Sequence, residues 1–172
     1  MEKVVLITGS SKGIGKATAI EFAKIGGYKV VINYLTDKEN AEKLSNYLKE
    51  KYKIETLVIK TDISNEEQVK NMIQEVINKF GRIDVLVNNA GIAIDKEFED
   101  RTVEDWKRTL EVNTIGTFLV SKYASENMLK NKSGKIINVS STNGINTFFP
   151  SSIDYDASKA AIINLTYNLA IQ

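Results

Sequence analysis

The sequence contains no cysteine and no histidine, and only one proline and one tryptophan occur among its 172 residues. Without cysteine the chain has neither disulfides nor thiol chemistry. Without histidine it cannot be a Ser-His-Asp hydrolase. A zinc site would have to be built from carboxylates alone, although zinc prefers nitrogen and sulfur ligands. We therefore expect no metal site.

The chain also lacks an excess of charge and lacks long apolar runs. Its 23 basic and 22 acidic residues are interspersed, so no basic stripe indicates nucleic-acid binding. No apolar run approaches the ~18 residues that span a membrane. Glu2 and Lys3 lead directly into the first strand, which argues against a signal peptide. We expect a cytoplasmic globular protein that binds neither nucleic acid nor membrane.

The first fifteen residues organise the rest of the sequence. An apolar run at Val4–Ile7 predicts a buried parallel strand, and a helical pattern follows from Lys16 to Lys24. The turn between them contains Gly9, Gly13 and Gly15. Glycines let a backbone turn tightly and approach a phosphate, and the N-terminus of the next helix attracts negative charge. The pattern predicts a phosphate-binding turn.

The spacing of these glycines excludes one common kind of phosphate site. A Walker A loop would need glycine at position 10 and serine or threonine at position 17, but the chain has Ser10 and Ala17. The dinucleotide pattern G-x-G-x-x-G does not fit either, so the turn is a wider variant of the same strand-turn-helix arrangement.

Strands and helices alternate along the rest of the chain, which predicts an α/β doubly wound parallel sheet with strand order 3-2-1-4-5. Two capping boxes, Thr36 with Glu39 and Ser64 with Glu67, mark helix starts. The expected strands are Val4–Ile7, Lys29–Asn33, Glu55–Lys60, Ile83–Val87 and Lys135–Ser140. The expected later helices start at Thr36, Ser64, Thr102 and about Asp154, and the Thr102 helix runs unbroken to about Leu129.

Four polar features each follow a strand, and parallel strands bring them to one edge of the sheet. They are the glycine turn, Asp62-Ile63, Asn88–Gly91 and Ser140-Ser141. Ligands of such sheets bind at this edge, where the strand order reverses.

Tyr155 and Lys159 share one face of the last helix because they are four residues apart. An ammonium ion beside a phenol favours the phenolate, which suits proton transfer near neutral pH. The spacing alone means little, since Tyr34 with Lys38 and Tyr47 with Lys51 repeat it. We interpret those two pairs as a loop and a solvated helix face.

Together these motifs resemble the short-chain dehydrogenase/reductase family. They are TGSSKGIG after the first strand, NNAG after the fourth, Asn113, Ser141 and YDASK, in the family's order through all 172 residues. Within the family the pattern is most similar to 3-oxoacyl-acyl-carrier-protein reductases. Members are usually longer. We therefore expect residues 1–172 to be a single Rossmann-like domain that ends after the Tyr155 helix and is incomplete at its C-terminus.

The resemblance implies a role for each of four residues. Tyr155 would be the general acid or base, Lys159 would assist it and bind the nicotinamide ribose, and Ser141 would hydrogen-bond the substrate oxygen. Asn113 would anchor a water in the proton relay, although an asparagine within a helix often bonds backbone groups instead. Ser140 would be only a strand-end residue.

We expect an NADP(H) or NAD(H) cofactor, with the glycine turn and the later strand ends as its site. The expected contacts are Gly9, Ser11, Lys12, Gly13, Ile14, Gly15, Asn33, Tyr34, Asp62, Ile63, Asn89, Ala90, Gly91, Tyr155 and Lys159.

NADP(H) is favoured because the second strand ends without the acidic residue that bonds the ribose hydroxyls in NAD sites. Lys12 would pair with the 2′-phosphate, unless it is simply a solvated lysine. We expect Asp37 to serve the next helix start, and Asp62 to bond the adenine amino group.

The substrate is left open at this point. The resemblance favours a carbonyl on an acyl-carrier-linked 3-oxoacyl thioester, with a sugar or small alcohol as the alternative. For the function itself, two further alternatives are a non-catalytic dinucleotide-binding protein and an inactive truncated chain. Phe148 and Phe149 would line an apolar substrate channel, or form a hydrophobic plug or a subunit contact. The resemblance also implies a homotetramer or homodimer, with the Asn113 and Lys159 helices at a two-fold axis and Ala157, Ala160 and Ala161 permitting close approach.

Overall fold

The computed structural model describes residues 2–147 and 150–172. Five parallel strands form one sheet in the order β3-β2-β1-β4-β5, which confirms the predicted order. The strands are β1 Lys3–Ile7, β2 Tyr28–Tyr34, β3 Thr56–Lys60, β4 Val85–Asn88 and β5 Lys135–Asn138.

Helices cover both faces of the sheet. They are α1 Gly13–Ile25, α2 Lys38–Tyr52, α3 Glu66–Phe80, α4 Val103–Leu110, α5 Thr117–Lys130 and α6 Ile153–Ala170. Among the described residues, none of these helices has the length and apolar character needed to cross a bilayer.

The hydrophobic core divides into two clusters, one on each face of the sheet. Alternate side chains of β1 enter different clusters, with Val4 and Leu6 packed toward α3 and α5 and Val5 and Ile7 packed toward α1 and α2. All four are buried, which is why the central strand reads as a continuous apolar run instead of an alternating one. Burying each such side chain stabilises the fold by about 1.5–3 kcal/mol.

Two of the predicted helix starts are wrong by one residue. The N-cap of α2 is Asp37, which accepts from the N–H of Asn40, and the N-cap of α3 is Asn65, which accepts from the N–H of Gln68. In the second case the Ser64 hydroxyl already donates to Asp62, 2.6 Å away, and is not used as the cap. Aspartate is a better N-cap than threonine, which explains the use of Asp37, and Asn65 caps α3 because the Ser64 hydroxyl is engaged with Asp62.

The predicted helix from Thr102 to Leu129 is interrupted in the middle. Thr102 does cap it, in a reciprocal capping box with Asp105. Between α4 and α5, however, residues Glu111–Gly116 form a π-helical segment. Such segments are rare and are often found at functional sites. This one contains Asn113.

Strand β5 lies at one edge of the sheet and pairs only with β4 among the described residues. It ends at Asn138, two residues before the predicted end, and Ile137 is 47% exposed. The outer edge of β5 is therefore open and partly apolar in the described part of the chain.

Candidate active site

The glycine turn is pressed against the chain that follows β4. Gly9 has a φ of +62°, and a Cβ there would lie 2.9 Å from the Cα of Ala90. A Cβ on Gly15 would lie 2.5 Å from the side-chain nitrogen of Asn89. Both contacts are too short for any side chain, so these two positions require glycine. The turn and the Asn89-Ala90 segment form one continuous surface.

The N-terminus of α1 beside this turn differs from those of α2, α3 and α4. Those helices have a side-chain cap and acidic residues in the first turn. Helix α1 has neither, and its N-cap position is occupied by Lys12. Its first N–H groups therefore lack a side-chain partner, and no carboxylate offsets the positive end of its dipole. This arrangement fits the phosphates of a dinucleotide.

A cleft of about 270 Å³ opens along the carboxyl ends of β1 to β4. Nine residues predicted as cofactor contacts line it, namely Gly9, Ser11, Lys12, Asn33, Asp62, Ile63, Asn89, Ala90 and Gly91. Seven further residues that the sequence did not single out as cofactor contacts also line it, namely Leu35, Thr36, Asp37, Thr61, Ile92, Arg108 and Val112. Gly13, Ile14 and Gly15 lie next to it, in the first turn of α1.

Asn33 and Tyr34 were both predicted at the cleft, but the structure separates them. Asn33 is buried, accepts from the N–H of Gly9 at 3.0 Å and donates weakly to the carbonyl of Thr61 at 3.3 Å, so it joins three strand ends. The Tyr34 side chain packs in the core with α1 and α2. Successive side chains of a strand point to opposite faces, which is why only one of the two reaches the cleft.

Two side chains of opposite charge, Asp37 and Lys12, line the cleft. The Asp37 carboxylate caps α2, and hydrogen bonds from Asn40 lower the pKa of Asp37, with the nearby positive charge of Lys12 acting in the same direction. The predicted capping role of Asp37 is confirmed. Lys12 is exposed and lines the cleft.

Arg108 is a cleft residue that no sequence motif indicated. Its guanidinium donates to the Ser64 hydroxyl at 3.0 Å and lies 3.5 Å from the Asp62 carboxylate. Partial burial acts to raise the pKa of Asp62, but hydrogen bonds from Ser64 and the charge of Arg108 lower it overall. Asp62 therefore presents a fixed carboxylate at the cleft.

The NNAG segment locks the strand ends together. The Thr8 hydroxyl accepts from the N–H groups of Asn89 and Ala90, both at 3.0 Å, and the Asn89 amide donates to the carbonyl of Thr8 at 2.9 Å. Asn88 donates to Ser121 and to Asn138, each at 2.8 Å. The structural use of this motif is evident, and Asn89 and Ala90 also line the cleft.

Asn113 connects the loop after β4 to the last helix. Its side chain accepts from the N–H of Ile92 at 2.8 Å, and donates to the Ile92 carbonyl and to the Ser158 hydroxyl, both at 2.9 Å. It is 1% exposed. The backbone bonds expected of a mid-helix asparagine are therefore present, and they place its amide beside the Tyr155 helix.

Lys159 carries its charge into a buried position. It is 5% exposed, its Nζ donates to the Val139 carbonyl at 2.9 Å, and this burial lowers the pKa of Lys159. The same Nζ lies 5.6 Å from the centre of the Tyr155 ring. A Cβ on Gly91 would lie 3.5 Å from that Nζ and 3.1 Å from Asn113 Oδ1. Lys159 and Asn113 therefore meet at the Gly91 end of the cleft, with the Tyr155 ring beside Lys159.

The two serines after β5 have different partners. The Ser140 hydroxyl donates to the Lys159 carbonyl at 2.8 Å, and Ser141 accepts from the N–H of Asn143 at 3.2 Å to open a short 3₁₀ turn. Asn143 in turn donates to Asp156, the neighbour of Tyr155, at 2.8 Å. Ser140 thus anchors the helix backbone, and Ser141 begins the turn that contacts the Tyr155 region.

The two other Tyr-Lys pairs lie away from this site. Lys51 donates to the Tyr47 hydroxyl at 2.9 Å on the exposed side of α2, and Tyr34 is in the core while Lys38 is exposed. Residues 148 and 149, the two phenylalanines predicted near the substrate, are outside the described part of the chain. Within that part, no three acidic side chains are grouped to hold a metal ion.

Known proteins are similar to this chain over nearly its whole length. The family model described as "short chain dehydrogenase" matches residues 3–172. A 3-oxoacyl-[acyl-carrier-protein] reductase from Synechocystis is 40% identical over 98% of this chain and 67% of its own length. An uncharacterized oxidoreductase from Thermotoga maritima is 37% identical over 98% of this chain and 64% of its own length. The chain therefore spans about two thirds of these relatives.

Solved structures agree with the fold. A short-chain dehydrogenase from Burkholderia cenocepacia in complex with NADP has a TM-score of 0.90 at 32% identity, covering 98% of this chain and 67% of that one. An NAD⁺-bound xylitol dehydrogenase has a TM-score of 0.92 at 34% identity, covering 98% and 64%. From the match over nearly all of its residues, and from the shared architecture, the chain belongs to the short-chain dehydrogenase family.

Proposed function

We propose that the protein is an oxidoreductase that transfers a hydride between a nicotinamide dinucleotide and a carbonyl or hydroxyl carbon. The observation that carries this proposal is Lys159, a buried lysine whose Nζ lies 5.6 Å from the centre of the Tyr155 ring, at the Gly91 end of the cleft beside the glycine turn. Burying a charge is costly unless it is paired and hydrogen-bonded, and among the described residues Lys159 Nζ has one hydrogen-bond partner, the Val139 carbonyl. Ionisable groups with perturbed pKa values in clefts are typical of functional sites.

The bound cofactor supplies or accepts the hydride at its nicotinamide ring, and the protein handles the proton. In the reducing direction the Tyr155 hydroxyl donates its proton to the substrate oxygen as negative charge develops there. The ammonium of Lys159 stabilises the phenolate that Tyr155 becomes. Ser141 donates a hydrogen bond to the same substrate oxygen, and Asn113 contributes to the path that returns a proton to Tyr155.

The cofactor favoured by the cleft is NADP(H). Strand β2 ends in Asn33 and Tyr34 and offers no carboxylate to the ribose, and Lys12 stands at the open N-terminus of α1. Asp37 opposes this preference because it also lines the cleft, but its carboxylate is engaged in capping α2. One neighbouring structure is a complex with NADP and another is bound to NAD⁺, so the relatives use both.

Substitution of Lys12 tests this preference. A charge-assisted contact between Lys12 and the 2′-phosphate gives an expected tenfold or slightly larger loss of NADPH affinity in Lys12→Ala, with NADH affinity unchanged. Fluorescence titration of both reduced cofactors measures it, and Lys16→Ala, an exposed lysine on the same helix, is the control. Tighter binding of NADH than NADPH by the unmodified protein would contradict the NADP(H) assignment.

The substrate class we propose is a 3-oxoacyl thioester. The Synechocystis and Staphylococcus aureus relatives named as 3-oxoacyl-[acyl-carrier-protein] reductases support it at 40% and 38% identity. The neighbouring xylitol dehydrogenase supports the alternative, a sugar or small alcohol.

A turnover screen decides between these substrates. NADPH oxidation by the chain is followed with a β-ketoacyl thioester, a ketose and a simple ketone at equal concentrations. The proposal expects the fastest turnover with the thioester. Turnover of the ketose with none of the thioester would reverse the assignment, and no turnover with any of the three would contradict the proposed activity of this chain.

A further inference from the structure

Tyr155 lies in the first turn of α6, where a helix is held least by its own hydrogen bonds. The hydroxyl of the N-cap residue, Ser152, donates to the Asp156 side chain at 2.9 Å and does not accept from a backbone N–H of the helix. Side chains of the first turn therefore contribute to holding the backbone that presents the Tyr155 phenol. The two residues that flank Tyr155 in sequence are both buried aspartates, Asp154 and Asp156.

Asp154 is anchored on the side of the cleft formed by the loop after β4. Its Oδ1 lies 2.6 Å from Nη1 of Arg101, and the two side chains are 0% and 2% exposed. Its other oxygen accepts from the Thr109 hydroxyl at 2.6 Å. Asp154 is thereby joined both to α4, through Thr109, and to the residue that precedes the α4 cap.

Arg101 extends this anchor to two stretches of backbone. Its guanidinium donates to the carbonyls of Ile94 and Lys96, at 2.8 and 3.0 Å, within the loop that begins at the cofactor cleft. It also donates to the carbonyl of Ser151, just before α6. The planar fork of an arginine is suited to holding several acceptors in a fixed geometry.

Asp156 is anchored on the opposite side. It accepts from the Asn143 amide at 2.8 Å and from the Ser152 hydroxyl at 2.9 Å. Asn143 belongs to the 3₁₀ turn that Ser141 opens. The residue before Tyr155 is thus tied to the loop after β4, and the residue after it is tied to the Ser141 turn.

We propose that Asp154 and Asp156 are positioning residues that fix the Tyr155 phenol between Lys159 and Ser141. The proposal rests on the proposed function. A fully buried ion pair adds little net stability because both charges lose their hydration. Here Arg101 is also fixed by backbone carbonyls and Asp154 by the Thr109 hydroxyl, so the pair sets the position of the first turn of α6. Loss of the Asp154 anchor lets the first turn of α6 shift without removing any group that touches substrate or cofactor.

The test compares Asp154→Asn with Asp84→Asn. Asp84 is also a buried aspartate paired with an arginine, Arg82, but it lies at the amino end of β4, away from the cleft. For Asp154→Asn we expect kcat to fall by about tenfold or more, because small misplacements of reacting groups are costly. Cofactor affinity and KM should stay within about twofold of the unmodified protein.

The split between kcat and the binding constants separates positioning from a purely structural role. Asp154→Asn should lower kcat with little change in KM or cofactor affinity, and Asp84→Asn should change none of the three. A merely structural pair would lower Tm in both variants and leave kcat unchanged well below Tm, which would overturn the proposal.

A milder variant covers failure of Asp154→Asn to fold. Thr109→Val removes one hydrogen bond to Asp154 and leaves the ion pair intact, so kcat should fall by about threefold with unchanged cofactor affinity. Full activity in Thr109→Val and unaltered hydrogen exchange across the start of α6 would contradict the anchor. Inactivity of the unmodified protein would instead contradict the proposed function, and hydrogen exchange would still decide whether Asp154 holds the Tyr155 turn.

Discussion

At the scale of single residues, Lys159 keeps a charge in a place that water barely reaches. Its burial lowers the pKa of Lys159 below its ordinary 10.5, so protonated Lys159 costs the folded state stability at neutral pH. Between the lowered pKa and 10.5 the unfolded chain binds more protons than the folded one, and stability from this group rises with pH. The stability cost is fully present below the pKa that Lys159 has in the folded protein, and it is relieved above the pKa that Lys159 has in the unfolded chain.

Replacement of Lys159 by methionine should therefore separate stability from function. We expect Lys159→Met to raise Tm by a few degrees at pH 7 and to lose turnover, with the Tm advantage shrinking as the pH approaches 10.5. Thermal unfolding at pH 7 and pH 10 measures it, with exposed Lys16→Met as the control. An equal loss of Tm at both pH values would mean that the bond to the Val139 carbonyl outweighs the buried charge.

Sequence patterns indicated the candidate residues of the site but not the residues that hold them in place. Tyr155, Lys159 and the glycines became candidates because their motifs occur together and in the order seen in a known family. Arg108 and the pair of Arg101 with Asp154 were not, because such contacts join segments far apart in the chain and follow no short pattern. Tyr34 was misplaced because the end of β2 turns one of two adjacent side chains into the core.

At the scale of elements, the sequence pattern predicted a helix around Asn113 but did not predict that Glu111–Gly116 would be π-helical. The apolar positions Trp106, Leu110 and Phe118 predict one continuous helix, and one extra residue in a turn leaves no compositional signal. The start of α4 was predictable because Thr102 opens a capping box. In that box Asp105 accepts from the backbone N–H of Thr102 at 2.9 Å and from Lys96 at 2.7 Å.

This capping box makes a prediction about pH. The bond from Lys96 and the bonds from Thr102 lower the pKa of Asp105 from 3.8 to about 2. The contribution of Asp105 to stability is therefore present above pH 3.8 and is lost as the pH falls toward 2. We expect Asp105→Ala to lower Tm by a few degrees at pH 7, and by less at pH 3. A difference that stays constant over this range would show that the carboxylate charge plays no part.

At the scale of the whole molecule, the sheet order followed from the alternation of strands and helices. Right-handed crossovers leave few arrangements for such a chain, and the order 3-2-1-4-5 is among them. The association state does not follow in this way, because it depends on surfaces whose composition is not distinctive. Ile115, in the π-helical segment that contains Asn113, is 48% exposed, and Phe118, at the start of α5, is 44% exposed. Ala157 and Ala160 are exposed on α6.

We propose that these two helices form the contact of a homodimer or homotetramer. Sedimentation of the chain at micromolar concentration should then show an oligomer, and Phe118→Lys should shift it toward monomer by placing a charge in an apolar contact. Ile25→Lys is the control, since Ile25 is 73% exposed at the end of α1. Monomer alone for the unmodified chain would contradict this contact.

The central claim is that Tyr155 acts in proton transfer and that the protein does more than bind a dinucleotide. Parallel measurement of NADPH affinity and of turnover in Tyr155→Phe tests it most directly, because this change removes one hydroxyl and keeps the ring beside Lys159. We predict NADPH affinity within about twofold of the unmodified protein and a fall in kcat of about 10²-fold or more. Full turnover in Tyr155→Phe would contradict the account.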